Sequence, residues 1–257
     1  MKKVFYVIII VIISGLLYLN YLSYKSPIKS KMISQPKLIT ITKDDLMRIK
    51  LYSNRKTAYT HKNAILDAFL LNEDGMEKLT LTLENIEKRE PYKYLKETFD
   101  TYIYTFSLPV LDIDLEYLNS SLLLRLKDGS ENLFHIGTFR YFHRSTPIIQ
   151  IETLYGTRYD DFPSLDKLYF KLDEDAFIKT LVFSSSLIVP INKHYPKGEL
   201  IEVVVPKHKL ILEDLAVEVL YEVDHVDYRG ILPYYLYYET LENPLDYGIL
   251  NHVYLFD

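Results

Sequence analysis

Residues 215–223 read LAVEVLYEV. Leu215, Val217, Val219, Tyr221 and Val223 recur with period two, and Glu218 and Glu222 fall between them. Successive side chains of a strand point to opposite faces, so this spacing predicts a half-buried β-strand with its carboxylates outward.

The same signal recurs along most of the chain. Residues 38–42 (LITIT), 78–83, 101–107, 111–117, 148–155, 167–172, 231–238 and 253–256 all read as strands. Residues 122–126 and 133–142 flank Lys127-Asp128-Gly129-Ser130, a hairpin turn in which Gly129 accepts positive φ. A second hairpin is expected between 187–191 and 200–205, across Pro196-Lys197-Gly198. Residues 42–51 fit a helix cap (Thr42 with Asp45) as well as a strand period.

Three short helices are expected. His61 to Leu71 spaces Ala64, Ile65, Ala68, Phe69 and Leu71 by three and four, with Thr60 as cap and Gly75 as stop. Pro91 opens a helix through Glu97, and Asp173 caps one through Thr180. The body is therefore mainly β, all-β or α+β, and sandwich-like. It divides either into domains over 37–157 and 158–257, split in the loop at 155–164, or forms one continuous domain over 37–257.

Upstream, residues 4–19 read VFYVIIIVIISGLLYL without a charge, and with the following residues the run reaches spanning length. Lys2 and Lys3 precede it, and Tyr18, Tyr21 and Tyr24 sit where an interfacial belt would lie. The reading is an uncleaved signal-anchor helix over 1–24, a tether over 25–36, and a soluble body outside the cytoplasmic membrane.

Composition narrows the function. The net charge is −5 and Lys and Arg make no stripe, which excludes the electrostatic footprint of a nucleic-acid binder. The absence of cysteine removes disulfides, thiolate metal sites and thiol nucleophiles. No phosphate-cradling glycine loop, nucleophile elbow, H-E-x-x-H or EF-hand loop occurs.

Three looser groups carry chemistry. Asp112, Asp114 and Glu116 share one strand face, where carboxylates solvate a strand or hold a hard cation. Glu222, Asp224, His225 and Asp227 put three carboxylates and an imidazole within six residues, a candidate metal site if the chain turns after Val223. His135, Arg140, His143 and Arg144 interleave with aromatics, a candidate anion-binding run whose cations divide between the two faces. No cofactor is called for.

The expectation is a membrane-anchored, extracytoplasmic, non-catalytic interaction or structural module of the bacterial envelope, whose partners are the membrane and another envelope protein. The alternatives are a ligand-binding or sensory accessory and an envelope hydrolase with an atypical site.

Overall fold

The structure is a computed structural model. It describes residues 14–15, 29–43, 45–143, 151–158, 165–208, 211–212, 216–232, 243–246 and 248–256. The anchor expected over 1–24 lies outside the described residues except for Ser14 and Gly15. Among the described residues no helix is long and apolar enough to cross a membrane. Lys31–Tyr254 form one compact unit, described below.

The chain is mainly β, as the period-two spacing predicts. Its strands are β1 (Ser30–Ser34), β2 (Lys37–Thr42), β3 (Met47–Ser53), β4 (Ile65–Leu71), β5 (Lys78–Tyr94), β6 (Glu97–Ser107), β7 (Leu115–Leu126) and β8 (Glu131–Phe142). They continue with β9 (Ile151–Arg158), β10 (Leu165–Leu172), β11 (Ala176–Ser184), β12 (Leu187–Tyr195) and β13 (Leu200–Val204). The last are β14 (Ile211–Leu212), β15 (Val217–Val223), β16 (Val226–Leu232) and β17 (His252–Phe256).

One sheet has ten strands in the order β14-β2-β8-β7-β4-β5-β6-β3-β1-β17. This order forces the sheet to curl. Strands β1 and β2 lie seven strand spacings apart, about 34 Å on a flat sheet. Yet only Gln35 and Pro36 join them, and three Cα steps reach about 11 Å. The two sides of the sheet must therefore approach each other where β1 passes into β2.

Aromatic side chains fill the space so enclosed. Tyr104 of β6 donates to the Tyr59 carbonyl at 2.7 Å. The Tyr59 ring packs edge-on against Phe134 of β8, which packs against Tyr254 of β17 at 4.9 Å between centroids. These pairs join strands that are distant in the sheet order, the kind of contact that a curled sheet permits.

The remaining strands form a three-stranded sheet, β13-β10-β9, and a four-stranded one, β12-β11-β15-β16. Both contribute to one core that includes Leu168 and Phe170 of β10, Ile201 of β13, Leu181 and Phe183 of β11, and Val219 of β15. Two sheets sharing an apolar core in this way are sandwich-like.

All three expected helices are corrected by the structure. Residues 61–71 form a 3-10 turn (Lys62–Ala64) and then β4, hydrogen-bonded to β5 on one edge and β7 on the other. Ala68, Phe69 and Leu70 are consecutive and buried. A strand covered on both faces loses its alternation, and such a run imitates helical spacing. Pro91 lies inside β5 at a register shift, where a missing N–H costs little. Asp173 starts no helix, because the chain passes from β10 to β11 in three residues. The stretch at 47–53, open between helix and strand, is β3.

The hairpin expected across Pro196 is also corrected. Strand β12 pairs with β11 and β13 with β10, so the turn crosses between two sheets. The expected tether over 25–36 is partly strand as well. Met32 and Ile33 are fully buried in β1, so apolar content at 32–33 outweighs the polar residues around it.

Candidate functional site

Ionisable side chains gather at three places. The first is the β15–β16 hairpin. Val223 pairs with Val226, leaving Asp224 and His225 as a two-residue turn with φ of 50° and 65°. Positive φ at both positions is the signature of the primed turn whose twist matches a hairpin, and Asp tolerates it better than most residues. The chain does turn after Val223, and the turn places Glu222 opposite Asp227. Lys179 of β11 lies between them, with Nζ 3.1 Å from Glu222 and 2.5 Å from Asp227. The His225 Nδ1 is 3.3 Å from Glu222 Oε1, and its side chain is 99% exposed. The predicted carboxylates thus pair around a lysine, while Asp224 and His225 make the bend. Among the described residues no group of three or more His, Asp and Glu side chains is arranged to hold a metal ion.

The second place is the junction of β8 with the four-stranded sheet. Arg140 of β8 donates to Glu218 Oε2 at 2.6 Å and to the Val182 carbonyl at 3.1 Å. Glu218 also receives the Arg229 Nε, and Arg229 reaches Asp114 at 2.8 Å. The Arg140 and Arg229 guanidinium groups lie 4.5 and 5.9 Å from the centre of the Phe142 ring. Asp114 accepts the His143 backbone N–H, and Glu116 accepts that of Ser185. Alternation places Glu218 outward, but it is 6% exposed. The correction has a simple cause: β8 covers that face of β15, and Arg140 supplies the charge that makes burial tolerable.

This geometry separates the predicted anion-binding run. Arg140 is committed to Glu218, and His143 Nδ1 lies 2.7 Å from the Leu111 carbonyl. His135 lies elsewhere, and Arg144 is outside the described residues. The aspartates of LDIDLEY do not share a strand face either, because β7 begins at Leu115.

The third place was not legible from spacing. His135 of β8 faces His252 of β17, with ring centroids 4.8 Å apart and planes inclined by 55°. Burial, and then the neighbouring His252, hold the His135 imidazole below its ordinary pKa, while its hydrogen bond to the Ser120 backbone and the Glu73 charge act the other way. Beside it, Glu73, Asp74, Glu77, Glu116 and Tyr117 line an open cleft of about 370 Å³. Burial, with the Glu77 carboxylate, pushes the Tyr117 phenol up. The two histidines are 117 residues apart, and no local motif connects them.

No protein-family model matches the chain, and no curated protein matches it. Among solved structures it is similar to the YadV chaperone, at 12% identity and TM-score 0.23 over 79% of this chain and 99% of that one. It is also similar to the fibronectin(III)-like modules of CbhA from Clostridium thermocellum, at 11% identity and TM-score 0.21 over 77% and 92%. A DUF4785 family protein from Legionella pneumophila gives 13% identity and TM-score 0.21 over 81% and 58%. At these TM-scores the likenesses carry no argument about function.

Proposed function

We propose that the chain is a membrane-anchored, extracytoplasmic, non-catalytic interaction module of the bacterial envelope, and that it takes another envelope protein along an open strand edge. The supporting observation is β5. Its first residues, 78–81, pair with β4, and from Thr82 to Tyr94 it pairs with β6 alone. Two carbonyls of the free edge are capped by side chains, Glu84 by Lys62 and Lys93 by Asn243. Between them, from Asn85 to Tyr92, no other described strand lies alongside. An extended segment of a partner can add there, bonded through its main chain. The interspersed Glu87, Lys88, Arg89 and Glu90 would keep such an edge from self-association while it waits.

The test joins localisation to contact. The native protein is expected in the membrane pellet after carbonate and high-salt washes, with the body digested by protease added to spheroplasts. A photoreactive residue at Arg89 is expected to capture a discrete protein adduct that the same residue at Thr80, where β4 lies alongside, does not. Full-length protein in the soluble fraction, or equal labelling at both positions, would overturn the proposal.

The acidic cleft favours a second reading, a ligand-binding accessory. The carboxylates of Glu73, Asp74 and Glu77 beside a phenol suit a cationic solute, and equilibrium dialysis against a polyamine would report it.

A further inference from the structure

The geometry points to a transition-metal site at the His135–His252 pair, which we infer takes a borderline divalent ion of the zinc and copper(II) kind through two imidazoles, with water completing the coordination.

The distances fit such an ion. A metal bound at about 2.05 Å from a ring nitrogen lies about 3.2 Å from that ring's centre. Two rings on one ion, at angles between the square and tetrahedral values, then have centroids about 4.5–5.2 Å apart. The observed separation is 4.8 Å, and the 55° inclination is far from parallel stacking.

The exposures fit as well. His135 is half-buried and His252 is exposed, so one ring is placed by its surroundings while the other is open to an arriving ion. Two imidazoles in contact gain little from each other, whereas a shared cation would hold both.

The supporting frame is rigid on both sides. The His135 backbone N–H is held by the Tyr254 hydroxyl at 2.7 Å and its carbonyl by the Ser34 hydroxyl at 2.6 Å. Tyr254 and His252 belong to the same strand, so one strand both anchors His135 and presents its partner ring. The negative cleft beside Glu73 raises the local concentration of cations. Imidazole selects zinc or copper over calcium or magnesium, which prefer oxygen.

The test uses the full, untagged chain in detergent, titrated with zinc chloride by calorimetry and followed by thermal unfolding with and without chelator. Binding in the micromolar range is expected, with a rise in Tm, because the ion ties β17 to β8. His252 is exposed, so His252→Ala leaves the chelated protein's Tm unchanged while weakening zinc binding by roughly tenfold or more. His225→Ala, which alters the hairpin turn, leaves binding intact, and calcium chloride gives no signal. Zinc binding unchanged in His252→Ala, zinc binding lost in His225→Ala, or no zinc binding by the parent chain would each overturn the inference.

Discussion

The His135 backbone and the Tyr254 side chain are joined by a closed cycle of hydrogen bonds. The His135 N–H donates to Tyr254 Oη at 2.7 Å, and the Ser34 hydroxyl donates to the His135 carbonyl at 2.6 Å. The Ser34 proton is thereby used, so the 3.2 Å contact between the two hydroxyls runs from Tyr254 to Ser34. In this stretch β8 has β7 on one side and, among the described residues, no strand ladder on the other. Two side-chain hydroxyls replace the ladder and close the curled sheet.

Tyr254→Phe removes the acceptor and keeps the ring against Phe134. The expected loss is about 1–2 kcal/mol, the cost of an unsatisfied backbone donor. Urea unfolding should show a lower midpoint with an unchanged slope.

Gly137→Ala should be the most damaging small substitution in β8. Gly137 has φ of 96°, and an added Cβ would meet the Lys37 carbonyl oxygen at 2.2 Å and the Lys37 nitrogen at 2.5 Å. Both are backbone atoms of β2, which pairs with β8 from this residue onward. Strain and overlap together should cost about 3–5 kcal/mol, read as a fall in Tm or as failure to fold.

Removing Glu218 should separate buried from exposed electrostatics. Glu218→Ala leaves Arg140, whose side chain is 11% exposed, without its carboxylate, and about 3–5 kcal/mol should be lost. Lys179→Ala breaks two ion pairs in the open at the β15–β16 hairpin and should leave the urea midpoint unchanged within error.

The β15–β16 turn should accept replacement of its ionisable residues. Asp224→Asn with His225→Gly supplies the pair that best tolerates positive φ at both positions. A gain of about 0.5–1 kcal/mol is expected. A loss on thermal unfolding would mean that these side chains hold more than the bend.

Acid should act partly through Glu97. The hydrogen bond from Lys31, together with that from Asn54, holds its carboxyl below the ordinary value of 4.5. A depressed folded pKa gives stability that is present above the unfolded value and is lost as pH falls through the folded one. Glu97→Gln should therefore flatten the stability profile below pH 4.5 and leave its shape near neutrality unchanged. Denaturation curves across that range check it.

Much of this architecture was legible residue by residue. Alternation at Val217, Val219 and Tyr221 depends only on the two-residue repeat of a strand, and Gly129 marks a turn that any strand pair would need. These are local properties, so they survive without knowledge of the fold. Strand β4 was not legible, because burial on both faces erases the alternation and leaves Ala68, Phe69 and Leu70 in a row. Nor was the role of Glu222 and Asp227 legible, since the lysine between them comes from a strand more than forty residues upstream.

The sequence by itself determined that the body is built of strands and where several of them turn, because those signals lie within a few residues of each other. Only the tertiary structure decided which strands pair, that Glu218 is buried against Arg140, and that His135 meets His252. Those contacts join residues separated by 78 and 117 positions. The second exists because two residues, Gln35 and Pro36, carry the chain from one side of a ten-stranded sheet to the other and oblige it to curl.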